Sequence, residues 1–231
     1  DRRDRQRPEL TVHLLAVTPG QISDGSEAVD LGQTPGDIVV LSAADSELAG
    51  LAQAQSSRGP DLPTLRLANL MQLGHNLSVD IYVDEVVSRA RLVIVRLLGG
   101  RGYWPYGIEQ ISEACRRAGV ALAVLPGDDQ PDAELAGLCT LAPEAAHRLW
   151  QYLVHGGEAN FQNALAYAAS LIGHEASWLE PVPLLRAGLY WPGRRQPTLE
   201  DVKAQWTNGA PVAPLVFYRA LLQAGNLAPV D

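Results

Sequence analysis

Residues 91–125, RLVIVRLLGGRGYWPYGIEQISEACRRAGVALAVL, contain the clearest structural signal in the chain. Two apolar runs rich in β-branched residues, Arg91–Leu98 and Leu122–Leu125, are typical of strands buried on both faces. The segment between them repeats apolar residues at helical spacing, with Pro105 suited to the first turn and Gly119 to the stop. A strand, a helix and a second strand of these lengths indicate a βαβ unit, and therefore a parallel sheet.

The same alternation extends towards the start of the chain. Two further apolar runs, Val12–Thr18 and Asp37–Ser42, are predicted strands, and Thr64–Leu70 is a weaker candidate. Ser46 and Ser78 are placed to cap the helices predicted to follow them. The pattern predicts an α/β fold with a Rossmann-like or flavodoxin-like parallel sheet flanked by helices.

The pattern divides the chain into three parts. The predicted α/β domain covers residues 10–180, and its last elements are an added helical pair within residues 143–172. Residues 1–9 are charged and polar and are predicted to be a disordered leader. Residues 181–231 are rich in proline and glycine and form a predicted irregular extension, a loosely held linker ending in the first strand of a following domain at Leu215–Tyr218.

Composition excludes several classes of protein. A chain of 231 residues with 47% hydrophobic residues can bury a sizeable core. The formal net charge of -8 argues against a nucleic-acid-binding protein, which needs a basic surface to neutralise phosphates. The apolar runs are far shorter than the roughly 20 residues that cross a bilayer, and the charged start does not resemble a secretory signal. We therefore expect no membrane association and a cytoplasmic location.

The glycine–aromatic loop, residues 99–107, follows the strand at Arg91–Leu98, at the edge of a parallel sheet where ligands bind. It does not fit a GxGxxG dinucleotide loop, because Pro105 stands where the third glycine belongs, nor a P-loop, because Lys203 is the only lysine. The loop is either a tight turn whose aromatic rings pack elsewhere or a contact surface for a ligand or partner. The candidate contact residues are Gly99, Gly100, Arg101, Tyr103, Trp104 and Tyr106.

Two more candidates lie in other predicted loops. His75 is the best candidate for an exposed functional histidine, although a capping or solvent-facing role is favoured for it. Asp128 and Asp129 follow a strand and are either a cation or acid–base pair or a turn with a helix cap. Because the carboxyl ends of parallel strands meet at one edge, the surroundings of Asp45, the glycine–aromatic loop and Asp128 form the predicted functional face.

No metal site or catalytic set emerges from residue spacing. His147 and His155 are eight residues apart and are predicted to lie on different helical segments, which argues against a shared metal ion. Cys115 and Cys139 do not form a CxxC pair and are predicted core thiols. Catalytic residues cannot be assigned from these patterns, and no metal ligands are predicted.

Four stretches together resemble the beginning of the large subunit of CobN-type cobaltochelatases, which are related to the H subunit of magnesium chelatase. The third of them is the most specific, and the resemblance covers nearly the whole chain after Pro8. The stretches are HLLAVTPGQISDGSEAVDLGQTPGDIVVLSAADSEL from His13, LRLANLMQLGHNLSVDIYVDEV from Leu65, RLVIVRLLGGRGYWPYGIEQI from Arg91, and APLVFYRALLQAGNLAPVD from Ala213.

This resemblance implies a function in cobalamin biosynthesis. Members of the family insert cobalt into the corrinoid precursor hydrogenobyrinic acid a,c-diamide, using ATP hydrolysed on separate AAA-type subunits. The chain would be the N-terminal part of the subunit that holds the macrocycle, with no cofactor of its own. Its expected partners are the remainder of the large subunit, the ATPase subunits and the corrinoid, and the isolated polypeptide is expected to be inactive. A stand-alone small-molecule binding module and a purely structural docking domain remain alternatives.

Overall fold

The structure is a computed structural model that describes residues 12–15, 27–58, 62–194, 196–225, 227, 228 and 230. One sheet of five parallel strands forms its centre, in the order β1-β3-β2-β4-β5. The strands are β1 (Val12–Leu15), β2 (Ile38–Ser42), β3 (Leu65–Asn69), β4 (Leu92–Leu97) and β5 (Ala121–Pro126). The α/β fold with a parallel sheet is therefore confirmed.

Helices cover both faces of this sheet. Within β4, Leu92 and Ile94 contribute to one core and Val93 and Val95 to the other, because successive strand side chains alternate between faces. The first core includes α1, α5 and α6, and the second includes α2 and α3. The helices are α1 (Asp45–Ser56), α2 (Asn76–Glu85), α3 (Pro105–Ala118), α4 (Ala133–Ala136), α5 (Pro143–His155), α6 (Glu158–Leu171), α7 (Leu199–Lys203) and α8 (Ala220–Ala224).

The strand order defines a topological switch point between β2 and β4. The connection through α1 carries the chain from β2 to β3 on one side, and the connection through α2 carries it back to β4 on the other side. Strands β3-β2-β4-β5 thus follow the flavodoxin-like order 2-1-3-4, with β1 added outside β3. In sheets of this kind, ligands bind beyond the carboxyl ends of the two strands that flank the switch point.

Neither predicted serine cap is used. Helix α1 begins one residue before Ser46, and its N-cap, Ala44, has no side chain that can accept a hydrogen bond. Ser78 is buried inside the first turn of α2, where its hydroxyl accepts a hydrogen bond from the backbone N–H of Val29 at 2.7 Å. His75 is the N-cap of α2 instead. A long-range bond to a distant loop thus replaces the local bond that the serine pattern predicts.

The assignment of Leu215–Tyr218 to the first strand of a following domain stays a prediction, and in this structure the segment is not a strand. These residues have no regular secondary structure, and Val216 is 94% exposed. A strand needs a neighbouring edge to pair with, and no described strand lies alongside this segment. A capping box begins α7, because the Thr198 hydroxyl accepts from Asp201 N and the Asp201 carboxylate accepts from Thr198 N. The boundary at residue 181 stays a prediction, and residues 1–9 lie outside the described residues.

The end of the extension folds back on the domain through α8. Gly157 N donates to the carbonyl oxygen of Gln223 at 2.7 Å, and Gln223 Nε2 donates to the carbonyl oxygen of Val154 at 3.0 Å. Gly156, with φ 62° and ψ -162°, permits this approach, since a Cβ there would lie 2.6 Å from the Gln223 carbonyl oxygen. The turn between α5 and α6 is therefore the docking point of α8.

We expect the substitution Gly156→Ala to release α8. The new methyl group would collide with the Gln223 carbonyl in a backbone conformation nearly confined to glycine, a strain of about 1–3 kcal/mol. Trypsin should then cleave after Arg219 on the order of tenfold faster, because cleavage follows the population of the undocked state. Gly173→Ala is the control, since Gly173 also has a positive φ of 79° but no atom closer than 4.0 Å. Equal cleavage of the two variants would contradict the docking.

Candidate functional site

A cleft of about 390 Å³ opens at the carboxyl edge of the sheet, beside the switch point. We call it the switch-point cleft. The loop after β2 and the start of α1 form one wall, the turn after β5 forms another, and α5, α6 and α8 close the remaining side. The residues that matter for its chemistry are Glu47, Arg96, Asp128, Phe161, Arg219 and Gln223.

A buried ion pair forms the floor of the switch-point cleft. Arg96 Nη1 lies 2.5 Å from Glu47 Oε2, and the two side chains are only 5% and 10% exposed. Arg96 shares the face of β4 that carries Leu92 and Ile94, so its side chain points towards α1, where Glu47 lies in the first turn. Charged groups are rarely buried unless they are paired, and here each supplies the partner of the other.

Some polar atoms in and near this ion pair have no hydrogen-bond partner among the described residues. Within the described residues, Glu47 Oε1, Arg96 Nε and Arg219 Nε are buried and make no hydrogen bond of ordinary geometry. Burial raises the pKa of Glu47, while the Arg96 guanidinium and the nearby Ser42 hydroxyl oppose that rise. Fully buried polar atoms normally have partners, so these three atoms are exceptions that require a physical explanation.

The acidic turn after β5 lies at the rim of this cleft. Asp128 is held as a turn residue, since Oδ1 accepts from Gln130 N at 3.0 Å and its carbonyl oxygen accepts from Trp150 Nε1 at 3.0 Å. Asp129 pairs with Arg186 at 2.5 Å, and the hydrogen bond from Gln130 and the charge of Arg186 lower its pKa. Asp128 thus lies on the predicted edge, and both aspartates already have partners.

The glycine–aromatic loop lies at the same carboxyl edge of the sheet, where it connects β4 to α3. Gly99 and Gly100 have φ values of 93° and 74°, which turn the chain from β4 into a short 3-10 turn that contains Arg101. A Cβ at Gly100 would lie 3.1 Å from Asp132 Oδ2. Arg101 is exposed and lies 3.5 Å from Glu134, a surface ion pair of little energetic weight.

The three aromatic residues of this loop do not form one platform. Trp104 is 8% exposed, and its Nε1 donates to the carbonyl oxygen of Leu73 at 3.0 Å. The Tyr106 hydroxyl donates to Asp80 Oδ1 at 2.7 Å, which raises the pKa of Tyr106. Of these three rings, that of Tyr103 is the strongly exposed one, at 44%. The loop therefore combines one anchoring ring, one tethered ring and one ring available for contact.

Tyr103 has an exposed apolar neighbour. Its hydroxyl lies 3.4 Å from the sulfur of Met71, a side chain that is itself 48% exposed. An adjacent methionine and tyrosine at a loop edge resemble the adaptable contacts found in protein interfaces. His75, a predicted site residue, acts as the cap of α2, where its Nδ1 accepts from Leu77 N at 3.1 Å. Its capping role explains its position without a catalytic function.

The residues at the floor of the switch-point cleft were not predicted from the sequence. Glu47 and Arg96 are 49 positions apart, so no local motif joins them. One signal was available, because Arg96 interrupts the apolar run LVIVRLL and a charge inside a buried strand requires a partner. No sequence pattern pointed to Arg219 as a cleft residue, because its position depends on the docking of α8.

A second, more open cleft of about 530 Å³ lies along α5. His147 and His155 both line it, so the prediction that they lie on different helical segments is wrong: both belong to α5. His155 Nδ1 accepts a hydrogen bond from Leu184 N at 3.3 Å, and burial together with the charge of Arg219 lowers its pKa. Across the described part of the chain, no three His, Cys, Asp or Glu residues come together as metal ligands.

Comparison with known proteins places these features in a family. The family model described as CobN/Magnesium Chelatase matches residues 150–231. The aerobic cobaltochelatase subunit CobN of Pseudomonas aeruginosa is 44% identical over 218 residues, which cover 94% of this chain and 17% of that protein. The chain belongs to the CobN/magnesium chelatase family. The CobN subunit of a Sinorhizobium species is 41% identical over 228 residues, covering 95% of this chain and 18% of its own length.

The chain thus spans less than a fifth of the CobN proteins that it matches. A solved structure, the catalytic subunit of cobaltochelatase from Mycobacterium tuberculosis, superposes with a TM-score of 0.56 over 82% of this chain and 14% of that one. At 24% identity this likeness supports the fold alone. No helix among the described residues is long and apolar enough to cross a membrane.

Proposed function

We propose that this chain is the N-terminal part of the tetrapyrrole-binding subunit of an ATP-dependent cobaltochelatase. The complete enzyme would insert cobalt into hydrogenobyrinic acid a,c-diamide during cobalamin biosynthesis, in the cytoplasm. The supporting observation is an identity of 41–44% to CobN subunits along more than nine-tenths of the chain. The step of metal insertion is assigned to parts of the subunit other than these 231 residues.

The chemistry of metal insertion supports the assignment of that step to other parts of the subunit. Placing a divalent metal ion in a macrocycle requires groups that hold the ion and accept the protons leaving the ring nitrogens. The described residues contain no cluster of metal-ligating side chains. The two clefts, of about 390 and 530 Å³, are each of a size that suits a small ligand or one edge of a larger one. ATP would be bound by the separate ATPase subunits, because this chain has no Walker A sequence.

The carboxyl edge of the sheet would be the contact face of this head domain. The Tyr103–Met71 pair is an exposed apolar contact on that edge. Its partners would be the remainder of the large subunit, the AAA-type ATPase subunits or the periphery of the corrinoid. Exposed tyrosine and methionine side chains suit such contacts because they bury apolar area on binding.

Cobalt insertion by the complete subunit tests this proposal. The substrate, Co²⁺, ATP and the ATPase subunits are mixed with the complete subunit or with residues 1–231, and the absorbance of the macrocycle is followed. The complete subunit should turn over, and the 231-residue chain should not exceed a control without it. In the complete subunit, Tyr103→Ala with Met71→Ala should lower the rate roughly fivefold, the loss expected for a modest interface hot spot.

Arg116→Ala provides the matched control in this assay. Arg116 is exposed in the last turn of α3, and this end of the helix lies at the edge of the sheet opposite the contact face. The Arg116→Ala variant should therefore retain the full rate of cobalt insertion. Turnover by residues 1–231 alone would overturn the proposed division of labour. An unchanged rate in the Tyr103 and Met71 double variant would remove that pair from the contact face.

A further inference from the structure

The polar atoms left over in the switch-point cleft form a recognisable pattern. Arg96 Nε and Arg219 Nε are hydrogen-bond donors, Glu47 Oε1 is an acceptor, and none of the three has a partner of ordinary geometry among the described residues. Arg96 and Glu47 are each at least nine-tenths buried. A buried donor and a buried acceptor left side by side are costly, and a group that offers the opposite set of bonds would satisfy both.

The charges around the cleft disfavour an anion as that group. Its lining carries carboxylates on Glu47, Asp128 and Asp129 and guanidinium groups on Arg96 and Arg219, and Arg186 pairs with Asp129 from outside, so the lining has no excess of positive charge to hold an anion. An anion held by Arg96 would also face the Glu47 carboxylate that is already paired with that arginine. The ligand should therefore be neutral and should carry both an acceptor and a donor.

The opposite wall of the cleft is apolar. Leu153, Val154 and Phe161 line it, and these side chains can contact an alkyl group attached to the polar head of a ligand. Arg219, at the start of α8, and Gln223, within it, line the remaining side of the cleft. A short alkyl chain that ends in a neutral polar group matches this combination.

We propose that the switch-point cleft binds a primary carboxamide. Its oxygen accepts from Arg96 Nε, with Arg219 as a second donor, and its NH2 group donates to Glu47 Oε1. This assignment goes beyond the proposed function, since it holds for any molecule that carries the group. A small-molecule amide, such as an amidated side chain of the corrinoid, and an asparagine or glutamine side chain of a protein share this chemistry.

Butyramide and butyrate are the probes, because they have the same alkyl chain and differ in the head group. Each is titrated into the 15N-labelled protein, and backbone amide signals are followed by NMR. Butyramide should shift the signals around Glu47, Arg96 and Gly127, and butyrate should bind at least about tenfold more weakly because its carboxylate faces Glu47. Equal binding of the two probes, or shifts confined to other regions, would overturn the proposal.

Two variants assign the roles of the side chains. Glu47→Gln removes the negative charge and should reduce the preference for butyramide to less than about threefold, since Gln can donate to a carboxylate. Arg219→Gln should weaken butyramide several-fold, and it keeps the test valid if Glu47→Gln does not fold, because Arg219 lies in the extension. Arg186→Gln, at the outer rim, is the control and should leave the butyramide affinity unchanged. An unaltered affinity in Arg219→Gln would count against the assignment.

Competition identifies the source of the carboxamide. If the group belongs to the corrinoid, hydrogenobyrinic acid a,c-diamide should displace butyramide, and hydrogenobyrinic acid without the amides should not. Failure of both to displace it would assign the site to a protein side chain. Absence of butyramide binding would overturn the carboxamide site and leave the proposed chelatase function intact, because that function is tested by turnover.

Discussion

Replacing Arg96 with methionine is expected to lower the free energy of unfolding by about 3 kcal/mol at neutral pH, the usual consequence of removing one partner of a buried ion pair. The variant leaves Glu47 buried without its ion-pair partner. Urea denaturation followed by circular dichroism measures the loss.

The loss should depend on pH in a definite direction. Burial already raises the pKa of Glu47, and removing Arg96 takes away the main influence that lowers it. A carboxyl group with a raised pKa stabilises the folded state below its unfolded pKa and loses that contribution as the pH rises through the folded value. The deficit of Arg96→Met should therefore be larger at about pH 8 than at about pH 5. A deficit that grows in acid would contradict the buried carboxylate.

Two further variants isolate the role of the pair. Adding Glu47→Leu to Arg96→Met should recover most of the lost stability, because an apolar pair of similar volume can replace a buried ion pair. Arg101→Met is the matched control, since Arg101 makes an exposed ion pair with Glu134 at 3.5 Å. It should change the free energy of unfolding by less than about 0.5 kcal/mol.

Trp104→Ala is expected to cost about 3–5 kcal/mol of stability, the range for truncating a buried aromatic residue. The indole ring packs on α3 so closely that a Cβ at Gly107 would lie 1.9 Å from it, and its Nε1 donates to Leu73 O. Trp104→Phe should cost less, because it loses the hydrogen bond and the part of the packing that the larger indole makes, and keeps the rest. Thermal unfolding and urea titration give the two values.

Tyr103→Ala is the control within the same loop. Its ring is exposed, so the change should cost less than about 0.5 kcal/mol. The contrast separates an aromatic residue that holds the glycine–aromatic loop from one that is free to meet a partner. Similar losses in the two variants would mean that Tyr103 is also structural. A functional test that replaces Tyr103, Trp104 and Tyr106 together could not separate these roles, because the loss of Trp104 would destabilise the fold and lower activity for that reason alone.

The fold could be predicted from sequence wherever its signals were local. Strand β4, helix α3 and strand β5 follow within residues 91–125, and the apolar periodicity, Pro105 and Gly119 placed all three elements correctly. The segment Leu215–Tyr218 has the composition of a strand but no edge to pair with, and composition alone cannot supply that edge.

The candidate site was harder to predict because its parts are distant in the chain. Asp128 was found from its position after a strand, and it does line the switch-point cleft. The floor of that cleft required the pairing of Glu47 with Arg96, which depends on the packing of α1 against β4. The glycine–aromatic loop was correctly placed at the edge, but the burial of Trp104 depends on the carbonyl of Leu73, which no loop pattern reveals.

The docking of α8 on Gly156 and Gly157 is thermodynamically linked to ligand binding in the switch-point cleft. Because Arg219, at the start of α8, lines the cleft as a donor for the proposed ligand, that ligand would bind more weakly by the fraction of molecules in which α8 is undocked. Linkage makes this relation reciprocal, so any force or partner that pulls the extension away from the α5–α6 turn changes ligand affinity by the same factor. A ligand in the cleft would in turn stabilise the docking of α8 on the α5–α6 turn by that factor.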